Sequence, residues 1–271
     1  MPYTVTFWGT RGSIPTPGAH TVRYGGNTAC VAVEGGDQLV ILDAGTGIRG
    51  RGAQLVERQN GSIRAEILLS HTHWDHIQGL PHFKPFFGEG NHVRIRASQQ
   101  GAATLETILR LQMHPAVFPV PLDALSARLA VEQVAPGEFT VGPFVVRAIR
   151  LRHPGTTLGF RLTPRDGGAS LAYVTDNELG AGGDYDVPAT WRRDFVQFLA
   201  GADVVIHDYL VDTRLLRYAR PEAEVVESGK SGGVADRERQ QKAIERRRLA
   251  EARAGRVGVR LTGGDASVLG R

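Results

Sequence analysis

The apolar residues Ile67, Leu68 and Leu69 run directly into Ser70-His71-Thr72-His73-Trp74-Asp75-His76. A short apolar run bounded in this way reads as a buried strand. Its end must therefore open onto a place where three imidazoles and a carboxylate can collect. With nine histidines in 271 residues, His-x-His-x-Asp-His arises by chance only roughly 5 × 10⁻⁴ times in such a chain. Side chains alternate along a strand, so His71 and His73 point the same way as the strand ends. Asp75 and His76 are adjacent and diverge as the chain turns, which suits a second ion nearby. Imidazole nitrogens and carboxylate oxygens are the ligands that divalent zinc, manganese or iron accept. Three further runs end alike: His153 follows residues 144–151, Asp176 follows 171–175 and His207 follows 204–206. Strand ends gathered on one sheet edge are where α/β folds place their sites.

The rest of the chain reads as an α/β domain, with strands first and helices interspersed later. Short β-type runs occupy residues 3–8, 29–33, 39–42, 66–69, 93–97, 144–151, 171–174 and 204–206, punctuated by glycine and proline. Helical patterns begin only around residue 100. Leu105, Ile108, Leu109 and Met113 share one face, as do Trp191, Phe195, Phe198 and Leu199 behind a Thr190 cap. An Arg-rich third helix is expected over residues 235–254. At 41% hydrophobic and 22% charged residues, the chain can build a sizeable core, which excludes global disorder. No apolar stretch approaches the roughly 20 residues of a membrane span, and the N-terminus has no signal-peptide pattern. A single cysteine, Cys30, excludes an internal disulfide framework and fits a reducing, cytoplasmic setting. Residues 228–271 carry 11 Lys/Arg against 5 Asp/Glu, whereas the preceding 227 carry 21 against 23. This basic tail reads first as a solvated helix and second as a weak nucleic-acid contact.

Taken in order, several stretches resemble the metallo-β-lactamase-fold hydrolases. They are Phe7-Trp8-Gly9-Thr10-Arg11-Gly12-Ser13, Tyr24-Gly25-Gly26-Asn27-Thr28, Leu42-Asp43-Ala44-Gly45-Thr46-Gly47, the His71 to His76 motif, His153-Pro154-Gly155, Tyr173-Val174-Thr175-Asp176 and Ile206-His207-Asp208. They are most similar to the phosphodiesterase branch, which includes tRNA 3′-end processing endonucleases and cyclic phosphodiesterases. The resemblance implies a four-layer αβ/βα sandwich with metals at one edge between two sheets. It implies one metal on His71, His73 and His153, and a second on Asp75 and His76, with Asp176 bridging. Asp43 then orients a ligand histidine, although a turn aspartate bonding its own backbone is an equal reading. Gly25, Gly26 and Asn27 would line the mouth of the site.

The same resemblance implies a phosphodiesterase that uses one or two Zn²⁺ ions, or Mn²⁺ or Fe, and a metal-bound hydroxide that Asp75 orients. The substrate would be a cyclic nucleotide, a small cyclic phosphate or RNA, and a homodimer is compatible with it. The alternatives are hydrolysis of another ester, thioester or lactam on the same fold, or a catalytically impaired metal-binding protein whose tail contacts RNA. The C-terminus departs from the family, because no histidine follows His207. We therefore divide the chain into a hydrolase domain, 1–227, and a tail, 228–271, that is a frameshifted ending, a divergence or a replacement module. The ion beside Asp75, His76 and Asp176 is expected to be one ligand short and weakly held. His207 is the one histidine left downstream to protonate a leaving group, though a structural strand-end role reads more strongly. His20, His82, His92 and His114 read as surface positions.

Overall fold

The computed structural model describes residues 2–22, 24–58, 61–179 and 185–207. The expected tail helix, and the tail as a whole, lie outside them. The first sheet runs β1 (Thr4–Gly9), β2 (Cys30–Gly35), β3 (Gln38–Leu42), β4 (Arg64–Leu68), β5 (His92–Ala97) and β6 (Arg128–Gln133), in that spatial order. β1, β2 and β3 pair antiparallel, while β3 to β6 run parallel. The second sheet runs β11 (Val204–His207), β10 (Leu171–Val174), β9 (Leu158–Pro164), β8 (Phe144–Arg150) and β7 (Gly137–Val141). It is antiparallel except for the β10–β11 pair. The described helices are α1 (Gly47–Glu57), α2 (Trp74–Ile77), α3 (Leu105–Gln112) and α4 (Trp191–Leu199). No described helix is long and apolar enough to cross a membrane.

Alternation along the strands sorts the apolar residues into three layers. Cys30, Ala32, Leu39, Ile41, Ile67 and Ile95 face Ile48 of α1 and Leu105 and Leu109 of α3. Val31, Val33, Val40, Leu42 and Leu68 face the other way, onto Val146, Phe160, Tyr173 and Ile206 of the second sheet. Ala172 and Val174 point outward again, onto Trp191, Phe195 and Phe198 of α4. The stacking is helix, sheet, sheet, helix, as the resemblance implies. Strands buried on both faces explain why the runs read as continuously apolar.

Three expectations need correction. Helices do not begin near residue 100, because α1 starts at Gly47. Glycine is a poor helix former, and α1 holds Gly47, Gly50 and Gly52, which hides it from periodicity. Two of these are there for contact: a Cβ on Gly47 would lie 2.5 Å from the Trp8 carbonyl oxygen, and one on Gly52 would lie 2.8 Å from the Phe83 ring. Thr190 does not cap α4 through its side chain; its hydroxyl donates to Asp194 Oδ2. The side chain that does cap is Thr104 of α3, which accepts from Thr107 N. The strands β6, β7 and β9 lie beyond the expected set, because glycine, proline and charged residues interrupt their apolar pattern.

Candidate metal centre

β4 ends against the loop after β3, and that junction builds the histidine loop. Asp43 N donates to Leu68 O at 3.0 Å, and Ser70 N donates back to Asp43 Oδ1 at 2.7 Å. His76 N closes the turn onto His73 O, after which Ala44 N bonds His76 O and Gly79 N bonds Ala44 O. The packing there admits only glycine at position 45. A Cβ would lie 2.3 Å from both the Asp75 carbonyl oxygen and Thr28 Oγ1. From the second sheet, Leu158 N donates to Ser70 O at 2.8 Å, which draws the start of β9 onto the end of β4.

This junction brings six of the seven expected site residues together. His71, His73 and His153 form one group whose ligand atoms lie within 4.8 Å of one another, and His71, His76 and Asp176 form a second. His73 Nδ1 and His153 Nε2 are 3.0 Å apart, close to the roughly 3.3 Å between two nitrogens on one tetrahedral zinc. Asp176 Oδ2 lies 2.7 Å from His76 Nε2 and 3.5 Å from His71 Nε2. Asp75 Oδ2 stands 3.4 Å from His76 Nε2 and accepts the Ser13 N–H at 2.7 Å. The second group thus has His71 where the resemblance implies Asp75, with Asp75 at its flank. His207 joins neither group. Its ring meets Phe195 edge-on at 6.3 Å, on the α4 side of the second sheet. Alternation explains this, since Ile206 faces the first sheet and its neighbour must face away.

Asp43 orients the cluster from below. It is fully buried, and its backbone sits at φ 60°. Asp43 Oδ2 accepts from Tyr173 OH at 2.8 Å and Ser70 Oγ at 2.9 Å, and it stands 2.8 Å from His76 Nδ1. Of the two sequence readings for Asp43, the contact with a site histidine is the one the structure contains. Ser70, Ser13 and Tyr173 had no assigned part. Their contribution is a hydroxyl or backbone N–H placed by the tertiary fold, for which sequence spacing carries no signal. Ser70 Oγ also stands 3.1 Å from His71 Nδ1, which leaves Nε2 as the free nitrogen. That Nε2 is buried without a hydrogen-bond partner, a state costly for a polar atom unless something coordinates it.

The electrostatics separate the histidines. Burial, joined by the charge on His76, holds His71 well below the ordinary histidine value. For His76 burial acts the same way, but Asp43 and Asp176 overrule it and hold the ring well above that value. Burial lowers His153 against the pull of Asp176. Burial would raise Asp176 and Asp75. The His76 charge and hydrogen bonds outweigh it at both, with the Ser13 N–H assisting at Asp75, so both carboxyls are lowered. His71 and His153, lowered toward the neutral form, face ionised carboxylates, a donor set that fits a divalent cation once His76 gives up its proton. Among the described residues, His82, His92 and His114 join neither group. His82 meets Phe118 edge-on at 5.5 Å.

Comparison with known proteins gives two kinds of relative. The chain is 28% identical over 151 residues to a ribonuclease Z of Bradyrhizobium diazoefficiens, covering 54% of this chain and 46% of that protein. It is also 45% identical over 94 residues to a uroporphyrinogen-III C-methyltransferase of Pseudomonas aeruginosa, covering 34% of this chain and 36% of that enzyme. The chain therefore spans less than half the length of either curated relative. Among solved structures, the metallo-β-lactamase-fold protein YhfI of Bacillus subtilis superposes with a TM-score of 0.58 at 17% identity, covering 91% of this chain and 93% of that one. The family model described as "Beta-lactamase superfamily domain" matches residues 38–225. With this match, the sandwich and the histidine cluster at its edge, the chain belongs to the β-lactamase superfamily and has the metallo-β-lactamase fold.

Proposed function

We propose that this chain is a metal-dependent phosphodiesterase. One observation carries the reading: two ligand groups meet at a shared, buried His71 whose Nε2 has no hydrogen-bond partner. His71, His73 and His153 would hold one divalent ion, and His76 with Asp176 and the flanking Asp75 a second, with zinc preferred and manganese or iron accepted. When bound, such ions supply Lewis acidity toward a phosphoryl oxygen and lower the pKa of coordinated water. The chain supplies the rest. Asp75, kept ionised by His76 and the Ser13 N–H, would orient the attacking water. Asp43 and Ser70 hold His76 and His71 with their Nε2 atoms toward the site. His207 keeps a packing role against Phe195. The ribonuclease Z similarity supports a phosphodiester over a lactam or thioester, and the lone buried Cys30 suits a cytoplasmic setting.

Turnover of bis(p-nitrophenyl) phosphate by chelator-treated protein is the test, with and without added Zn²⁺ or Mn²⁺. Metal-restored hydrolysis is expected, whereas hydrolysis of a thioester or β-lactam alone would overturn the reading.

A second observation favours a second reading for part of the chain. The identity to the methyltransferase exceeds that to the ribonuclease but is confined to a third of either protein. We propose that this segment is a methyltransferase-like module beside the hydrolase domain. Incubation of the full chain with uroporphyrinogen III and a methyl donor tests it: methylated product would support an active module, and its absence would leave a likeness of sequence alone.

A further inference from the structure

The two loops that carry His153 and Asp176 leave strands that are not neighbours. β9 lies between β8 and β10, so the two strand ends stand roughly 10 Å apart, two strand spacings. No ladder bond joins β8 to β10, and something else must set the separation of these side chains. The structure supplies a clasp. Asn177 Oδ1 accepts the Arg152 N–H at 2.9 Å, and Glu178 N donates to Arg152 O at 2.8 Å. Both backbone groups of the residue before His153 are thus bound by the two residues after Asp176. Asp176 sits at φ 48°, a left-handed turn that sends the chain into the clasp. Asn177 is only 2% exposed, and the Arg152 guanidinium is stacked over Tyr185 at 5.4 Å and Trp191 at 5.5 Å.

We infer that Asn177 is a positioning residue that sets the spacing of His153 and Asp176, and thereby of the two ligand groups around His71. The inference rests on the reading of this cluster as a metal site. A side-chain carbonyl is needed because it accepts the Arg152 N–H. A carboxylate keeps that acceptor, and an apolar side chain of the same size removes it while leaving the Glu178 N–H on the Arg152 carbonyl.

The test uses the full chain, stripped with chelator and titrated with Co²⁺, with visible absorption reporting affinity and coordination. Thermal unfolding of the metal-free protein runs alongside. Asn177→Leu is expected to bind Co²⁺ roughly 10- to 100-fold more weakly, with altered bands, as when a group that orients metal ligands is removed. Asn177→Asp is expected to restore the parent spectrum. Asn177→Ala, which cannot overfill the site, makes the same comparison should Asn177→Leu not fold. A parent chain that takes up no Co²⁺ overturns the metal-site reading and this inference with it. A parent that binds, beside Leu and Ala variants of the same affinity and spectrum, overturns this inference alone. So does a loss that Asn177→Asp shares in full.

Discussion

The two ligand groups share His71 but are built in different ways. His76 and Asp176 sit over Asp43, which is fully buried and receives Tyr173 and Ser70. His73 is exposed, and His153 approaches it from the other sheet. One group is held from beneath by a buried carboxylate, the other across a gap by loop geometry. The difference teaches that the sandwich uses two means of preorganisation. Charge and hydrogen bonds orient the inner group, while backbone clasps orient the outer one. The inner group also begins with a charged His76, so a cation must displace a proton to bind there. That cost favours tighter binding at His71, His73 and His153.

The comparison breaks most readily at the shared residue. His71→Ala should empty both groups and bring phosphodiester hydrolysis to background. Elemental analysis of protein purified without chelator checks this, and full retention of metal would remove His71 from the assignment.

Asp43→Asn should strike the inner group selectively. It takes an acceptor from a buried, charged His76, so equilibrium unfolding should show a loss of about 3–5 kcal/mol. Metal affinity at that group should fall roughly 10- to 100-fold, with one ion per chain retained. Equal loss from both groups would show that they are not independently oriented.

The pH dependence of the metal-free protein should carry both signs. His71 and His153 are lowered in the fold, so as pH drops through about 6.5 the unfolded chain takes up protons that the folded chain refuses. Stability therefore falls on acidification. His76 is raised, so its contribution is complete below that same value and is lost as pH climbs through its folded value. Denaturant unfolding with chelator at pH 5.5, 7 and 9 should show a maximum near neutrality. A monotonic rise toward pH 9 would contradict the charged state of His76.

The smallest effect is expected at His82, close behind the metal loop yet exposed against Phe118. His82→Ala should leave metal content and unfolding midpoint unchanged, and any loss of metal would enlarge the site beyond the two groups.

Much of this was legible because the motif is local. His71, His73, Asp75 and His76 follow one strand end within a short segment, although β4 stops at Leu68, so the period-2 alternation of a strand does not reach them. His153 and Asp176 were legible because they end apolar runs. The same rule pointed to His207, but it says where a strand ends and not which face the last residue takes. The face is decided by which sheet surface meets α4, which depends on packing between elements distant in sequence. Helix α1 stayed hidden for a related reason. Its glycines answer the Trp8 backbone and the Phe83 ring, contacts that exist only once the sheet and helix have met.

The candidate ligand residues, their place after strand ends and the layered apolar pattern are readable along the chain, because these follow from side-chain chemistry and the two-residue period of a strand. Only the tertiary structure decided how Asp43, Ser70 and Tyr173 converge beneath His76, that Ser13 serves Asp75, and that Asn177 clasps the His153 loop. Those are hydrogen bonds of fixed length and direction between residues up to 130 positions apart, and such directional contacts leave no periodic trace along a chain.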